Sequence, residues 1–528
     1  MANKTQIIDN YVANMTALEA VSGEDKVLIN SNGLNQTAKA SAVKEYVTGD
    51  IKTQLSNKVD KESGKALSSN DYSNSEKQKL ADTADAIAAT NKDVEAITSD
   101  LASLKELFNE NLYYGIEFDT SVSSPQCTRI GNMSLHRTLP VQSKMRGVLL
   151  SDDGEVIKYL DKNDWTQETR DGSNGQVMVE IPEFWWRFEE DGSKRRVLLS
   201  SVEISSFTRH AKQYVSAYQA TLQRSTSKLC SVVNSDADYR GGANDTGWDG
   251  TYRSCLGRPA TSINRTNFRK FARNRKKDST EWNCMTYDTQ KTLYWLFVVE
   301  YATLNSQESY NAETTSEGYH KGGLGEGVTN ISNWNEFNLY RPFVPCGYTD
   351  SLGNNTGVVD YTIDNEDTTN PIKQTLQVPR YRGVENPFGH LWQWTDGINV
   401  RISPNTDNGG DDLSKVFCCY DPSNFNDSNY DGYTYVGDEA RSNGWMKEAI
   451  FGEGGEIIPK VVGSSSTSYF CDYHYTSIPT TETLRGVISG GSAFNVANAG
   501  FAGANSLNAP SDSNTLIGSR LCFIPETA

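Results

Sequence analysis

Apolar positions recur along this chain in two rhythms, and the change between them falls near residue 110. Leu80, Ile87, Val94, Leu101 and Phe108 stand seven apart, with Thr83, Thr90, Ile97 and Leu104 three positions further on. Ala, Asp, Lys, Glu and Asn fill the spaces between. A single amphipathic helix lying on a domain could carry the same stripe. The stripe is narrow and its flanks are polar all round, which favours a coiled coil over 80–110 that buries the seam against copies of itself. Leu80, Ile87, Val94, Ile97, Leu101, Leu104 and Phe108 are its expected association residues. The two threonines weaken the seam's first half and leave the number of strands open.

After Tyr113-Tyr114 the rhythm becomes that of strands. Met145-Arg-Gly-Val-Leu-Leu150, Val156-Ile-Lys-Tyr-Leu160 and Val177-Met-Val-Glu-Ile181 are short apolar or alternating runs. Ser151-Asp-Asp-Gly154 and Asp171-Gly-Ser-Asn-Gly175 punctuate them as turns. These predict a compact β-rich neck over 111–176, with Gln176-Val-Met-Val-Glu-Ile-Pro-Glu-Phe-Trp-Trp186 opening a large domain over 177–528. Inside that domain Leu293-Tyr-Trp-Leu-Phe-Val-Val-Glu-Tyr-Ala302 fits a buried helix, capped by Thr286 or Asp288. Long Gly/Asn/Asp connections surround it, so the fold class is α+β. Upstream, residues 1–57 form a small polar unit. Glu24-Asp-Lys-Val-Leu-Ile-Asn-Ser-Asn-Gly33 reads as a strand entering an Asn-Gly turn, and Ala40-Ser-Ala-Val-Lys-Glu-Tyr46 resumes helical spacing. A core this small needs a larger body to dock on.

Composition narrows the function. A formal charge of -17 disfavours nucleic acid and anionic membrane as partners. The exception is a basic run from Arg265 to Lys277, where Phe268 and Phe271 suggest an amphipathic helix with a solvated basic face. Nine cysteines make an odd count with no CxxC pair, which favours free thiols and assembly in a reducing cytoplasm. Met-Ala-Asn-Lys-Thr5 has no apolar signal core, and the longest apolar run, Leu293 to Val299, is too short to cross a bilayer. No membrane insertion is expected.

The segment from Leu484 to Phe523 is Gly-, Ala-, Ser- and Asn-rich, yet Leu484, Val487, Phe501, Ile517, Leu521 and Phe523 frame it with apolar anchors. From Thr483 to Pro525 it holds no Lys, Gln, Glu, Met or Trp. It reads either as a plain surface loop or as a display surface of small side chains held between strands.

Two sets of motifs carry resemblances. Lys58-Val-Asp-Lys-Glu-Ser-Gly-Lys-Ala-Leu-Ser-Ser-Asn-Asp-Tyr-Ser-Asn-Ser-Glu-Lys-Gln-Lys-Leu80 resembles a segment that recurs in bacteriophage tail-fibre and baseplate proteins. That resemblance assigns 58–79 to a linker motif and implies a virion component, normally homotrimeric. The second set is Asn386-Pro-Phe-Gly-His-Leu-Trp-Gln-Trp394, then Leu484-Arg-Gly-Val with Gly490-Gly-Ser492, then Ile517-Gly-Ser-Arg520. In that order they resemble the C-type-lectin-like fold shared by formylglycine-generating enzymes and by the variable proteins of diversity-generating retroelements. The phage receptor-binding members are the most similar, and the variable region would be about 486–516. Their diversification randomises AAY codons, which leaves out Lys, Gln, Glu, Met, Trp and stops, as this segment does.

What the resemblance implies is a tail-fibre receptor-binding protein of the virion, synthesised in the host cytoplasm without a signal peptide. Its N-terminus would meet a phage baseplate or tail protein, and its C-terminal domain a host surface glycan or protein. Ser489, Ser492, Phe494, Asn495, Asn498, Gly503, Asn505, Leu507 and Asn508 would contact the receptor, with Ser513 and Asn514 beyond them. Phe494 and Leu507 would supply apolar contact and the Asn and Ser side chains adaptable hydrogen bonds. Trp392, Trp394, Arg485, Gly486, Gly490, Gly491, Pro510, Gly518 and Arg520 would be scaffold.

The rivals are a formylglycine-generating-type oxidase and a bacterial surface lectin or adhesin. An oxidase needs a convergent cysteine pair, and the closing portion has only Cys471 and Cys522. The five histidines show no metal-binding spacing, and no GxSxG motif occurs. The expectation is no enzyme and no cofactor. Ca²⁺ is the one ion whose oxygen donors are on offer, in loops 407–412 and 421–432.

Overall fold

The computed structural model describes residues 26–31, 34–39, 73–249, 254–331, 341–364 and 373–526. The rest of the expected docking unit (1–57), with the helical spacing at 40–46, and the linker motif up to residue 72 lie outside them. The chain divides into two compact units, Met1–Ser99 and Asp100–Ala528.

In the first unit Lys26–Ser31 and Leu34–Lys39 pair antiparallel, with Ser31 opposite Leu34. A 37-residue helix, α1 (Asn74–Glu110), begins later in this unit. Ser73 and Glu76 start it as a capping box: the Ser73 N–H and hydroxyl donate to the Glu76 carboxylate (2.9 and 2.8 Å), and the Glu76 N–H reaches the Ser73 oxygen (3.3 Å). The helix thus begins inside the stretch assigned to the linker motif, because the cap precedes the first seam leucine. Leu80, Ile87, Val94 and Ile97 are 47–68% exposed on it. Thr83 and Thr90 turn their hydroxyls inward onto the Lys79 and Ala86 carbonyls (2.6 and 2.8 Å). Leu101, Leu104 and Phe108 lie on the helix, but their side chains fall outside the described residues.

The second unit is a mixed α+β body, sheet-rich with few helices. Helices α2 (Arg265–Arg273) and α3 (Tyr287–Tyr301) pack against its strands. Helix α3 is buried on every side, all its residues but Asp288, and the charged Lys291 and Glu300 on it are paired with Glu456 and Arg382. Thr286 caps it, accepting from the Thr289 N–H at 3.1 Å, and Ala302 ends it in left-handed backbone.

No separate neck exists over 111–176. Tyr114–Asp119 pairs with Lys194–Ser200, and Arg146–Leu150 pairs with Gln176–Ile181. Gln176–Ile181 pairs in turn with Gln213–Ser216, which lies beside Leu521–Phe523. One core cluster takes Tyr114, Leu149 and Trp165 together with Trp295, Val487 and Phe501. The turns at 151–154 and 171–175 are loops between strands of shared sheets, and the strands they join have no core of their own.

The largest sheet has nine strands and carries the Gly- and Asn-rich closing segment. Trp392–Ile402 and Thr483–Ser489 are antiparallel neighbours near its middle, with Ala504–Asn505, Tyr473–Tyr475, Gly444–Phe451 and Glu456–Val462 next in order. Ile517–Gly518 runs parallel beside Trp392 and Gln393. Trp392 and Trp394 fall on one face, as alternation in a strand requires, and both pack with Ile488, Ile517 and Leu521. Between Thr395 and Asn399 the pairing slips, and Asp396, Gly397 and Ile398 bulge from the strand.

The bulge explains the basic run. Arg265 and Arg269 are buried, not solvated. Arg269 pairs with Asp396 (2.5 Å) and Asp427 (2.8 Å), while Arg265 reaches Asp427, the Ile398 carbonyl and the Asn399 side chain at 2.6–2.7 Å. Two carboxylates thus draw one face of the basic helix inward, since a buried guanidinium must be paired.

Candidate ligand-binding surface

The segment over 486–516 is an excursion fastened at several depths. Gly486 sits where an added Cβ would lie 2.8 Å from the Trp394 ring, so the strand can approach the indole only without a side chain. Gly490 and Gly491 have φ of +91° and +79° and lead the chain out of the sheet. A Cβ on Gly491 would meet the Ala499 Cβ at 2.5 Å. The excursion closes where the Gly490 N–H donates to the Gly503 carbonyl (3.0 Å) and Ala493 N–H to that of His390 (3.1 Å). Phe501 enters the core between the Ser306 hydroxyl, which accepts its N–H at 2.9 Å, and Gln290, which donates to its carbonyl at 2.6 Å.

The far end is fastened equally well. The buried Pro510 accepts the Arg265 N–H (3.1 Å), and Gly486 N–H donates to the Asn508 carbonyl (2.9 Å). Gly518 packs with its Cα side against the Ala260 carbonyl. Arg520 is wholly buried; it donates to the Gln393 side chain (2.9 Å), the Ser216 carbonyl (3.1 Å), and the carbonyls of Glu385 and Asn386. Burial lowers its pKa to about 10. Arg485 is half-buried, with its backbone opposite Val400.

What this frame exposes is a tip and a rim. Phe494 is 57% and Val496 48% exposed. Val496 holds φ +50°, left-handed backbone that a β-branched residue rarely takes. Asn495, Asn498, Leu507 and Asn508 line the rim, and Ser513 and Asn514 are exposed. Four of the expected contact residues are instead buried. Ser489 lies within the sheet opposite Gln393, its oxygen accepting from the Thr395 hydroxyl (3.3 Å). Ser492 turns its N–H and hydroxyl onto the Asn495 side-chain oxygen (2.8 Å each). Asn505 accepts from the Leu507 N–H (2.9 Å), and Gly503 is enclosed beside Gly500. Small polar side chains at these positions shape the excursion from beneath.

Beside the tip runs a row of rings that composition does not single out. Trp445 and Tyr473 meet edge-on at 5.2 Å, Tyr473 and Tyr475 at 4.7 Å, and Tyr475 and Trp392 edge-on at 5.9 Å. Trp445, Tyr473 and Tyr475 are half-buried, while the intervening His474 points inward and is buried. The Tyr475 hydroxyl accepts from the side-chain amides of Asn495 (3.1 Å) and Asn498 (2.9 Å), joining the row to the excursion. The signal is legible as alternation in Tyr473-His-Tyr475.

Two acids lie under the excursion. Asp472 accepts from the Ala502 N–H (2.8 Å), and its other oxygen abuts Gly500, where a Cβ would not fit. Burial raises its pKa well above the carboxylate range. Glu439 accepts from the hydroxyls of Ser506 (2.7 Å) and Thr476 (3.2 Å), and burial pushes it up to about 8. All nine cysteines are free thiols, and all but Cys127 are buried. Among the described residues no group of three or more His, Cys, Asp or Glu is arranged to hold a metal ion. In the loops considered for Ca²⁺, Asp427 is engaged by Arg265 and Arg269, and Asp412 by Thr406.

No family model and no curated protein matches the chain. Among solved structures it is similar to the Major Tropism Determinant U1 variant, at 11% identity over 65% of this chain and 72% of that one, with a TM-score of 0.17. A superposition this loose decides neither fold nor function. Among the described residues no helix is long and apolar enough to cross a membrane.

Proposed function

We propose that this protein is the receptor-binding component of a phage tail fibre, and that residues 486–516 form a retroelement-diversified surface on a C-type-lectin-like domain. One observation carries the proposal. Exposed apolar side chains, Phe494 and Val496, stand on an excursion whose two ends are anchored by buried glycines, Phe501, Pro510 and Arg520. A surface that must tolerate changes of side chain needs a backbone held by residues that do not change, and binding energy concentrates in apolar and aromatic anchors ringed by polar groups. Trp445, Tyr473 and Tyr475 supply fixed aromatic contact, and Asn495, Asn498, Asn508, Ser513 and Asn514 the adaptable rim.

The uncovered seam of α1 supports the homotrimeric fibre: Leu80, Ile87, Val94 and Ile97 need a partner, and Thr83 and Thr90 satisfy their own hydroxyls, so burying them leaves no orphan donor. Three copies on one particle turn weak single-site affinity into avidity. The N-terminal unit would join a baseplate or tail protein. The protein acts by binding, without catalysis or cofactor. Exchanging residues 486–516 between isolates and scoring adsorption tests this reading: host range should follow the exchanged segment. Adsorption that ignores the exchange sinks it.

A further inference from the structure

The basic run has a second side. With Arg265 and Arg269 drawn inward, the outward residues of α2 and the turn after it line an open cleft of about 730 Å³, walled by Lys270, Arg273, Asn274, Lys277, Asp278 and Ser279. Arg273 is the instructive member. Its Nη2 donates to the Asn283 side chain (3.3 Å) and the Pro422 carbonyl (2.5 Å), both uncharged, and its Nε is enclosed without a partner. Burial, and then the neighbouring Arg269 cation, hold its pKa below the ordinary value. Lys270 is exposed and has no carboxylate partner among the described residues. Lys277, also exposed, pairs only loosely with the exposed Asp278 beside it (3.8 Å). Arg269 is met by two carboxylates; in the cleft a half-buried guanidinium and two lysines share the lining with one exposed carboxylate, Asp278.

We infer that this cleft is an anion-binding site, fitted to the phosphate or sulfate groups of an anionic surface polysaccharide. A half-buried guanidinium whose only partners are uncharged and two flexible ammonium groups suit such oxyanions. The chain's net charge of -17 does not forbid this, because at physiological salt exposed charges are screened beyond about 8 Å and the local cluster dominates on contact. The cleft also flanks the diversified surface. Arg265 N–H is bonded to Pro510, the Asn264 side chain to the Ser511 carbonyl (3.4 Å), and Ser262 N–H to that of Asn514 (3.0 Å). Helix α2 spans only about 13 Å, so one polymer strand reaches both. The site stands on its own geometry; its use in host attachment rests on the receptor-binding reading.

The test uses the full chain with dextran sulfate, unmodified dextran and phosphatidylglycerol vesicles as probes, by biolayer interferometry at low and physiological salt. Dextran sulfate should bind and dextran should not, and inorganic phosphate should compete. The double variant Lys270→Glu, Lys277→Glu changes only exposed side chains, so it should keep its Tm while losing at least tenfold in dextran sulfate affinity. Equal binding by the variant, no binding by the wild type at low salt, or binding to vesicles alone overturns the proposal. Adsorption that follows segment exchange, with dextran sulfate binding unchanged in the variant, removes the anion site and leaves the receptor reading standing. Adsorption that ignores the exchange, with dextran sulfate binding lost, does the reverse.

Discussion

Glu439 should add its own pH dependence to the body's stability, and replacing it with glutamine should remove that contribution. It is 4% exposed, and its carboxyl holds Ser506, inside the 486–516 excursion, and Thr476. Folding lifts its pKa from an ordinary 4.5 to about 8, chiefly by burial. Below about pH 4.5 folded and unfolded chains both hold the proton, and this group's contribution to stability is fully present. Between about 4.5 and 8 the unfolded chain releases the proton while the folded one keeps it, so stability falls as pH rises, and above 8 it levels off. At about 1.4 kcal/mol for each tenfold change, the full span is about 5 kcal/mol. Water entry and local rearrangement around the carboxylate reduce this to roughly 2–5 kcal/mol. Glu439→Gln keeps an oxygen that can accept both hydroxyls, at a constant offset of about 1 kcal/mol for its added N–H groups. Urea unfolding followed by tryptophan fluorescence reads this body alone, because all ten tryptophans follow residue 164. Wild type and variant should be nearly equal near pH 5, with the variant gaining roughly 2–5 kcal/mol by about pH 8.5. A constant gap across that range would show that burial does not keep Glu439 protonated.

Other substitutions probe the frame. Gly491→Ala forces a Cβ against Ala499 in left-handed backbone and should cost about 1–3 kcal/mol, with adsorption lost in parallel; unchanged urea midpoints would refute it. Tyr475→Phe strands the amides of Asn495 and Asn498 and should speed hydrogen exchange over 492–499 by about tenfold, consistent with losing about 1–2 kcal/mol. Arg520→Lys cannot span a side-chain amide and three carbonyls at once and should cost about 3–5 kcal/mol, so retention of the wild-type Tm counts against it. In the seam, Ile87→Asp in the full chain should turn a trimer into a monomer in sedimentation equilibrium, whereas an unchanged mass would place the association elsewhere.

Features whose chemistry is local are legible in the sequence. Trp392 and Trp394 alternate in a strand, the run from Leu293 is too apolar to be anything but buried, and Gly490-Gly491 marks an exit from a sheet. What escapes a reading of the sequence depends on partners far along the chain. Arg269 looks solvated because Asp396 and Asp427 are 127 and 158 residues away. The neck looks independent because the sheet of Arg146–Leu150 is completed by strands up to Leu521–Phe523. Ser489, Ser492 and Asn505 look like contacts because a small polar side chain gives no sign of which way it faces. Tyr473 and Tyr475 are easily passed over because three residues make too short an alternation to stand out.

The placement of Leu521–Phe523 bears on what a reading-frame error upstream does to the fold. This strand lies inside the six-stranded sheet, between Trp282–Cys284 and Gln213–Ser216, and it is translated after residues 486–516. A frameshift within the codons for 486–516 therefore removes a strand from the interior of the body, along with Arg520. Such a chain cannot complete its sheet, so it should be lost to proteolysis. Folding acts as an inspection step, and the chains that pass have been read in frame through the whole of 486–516.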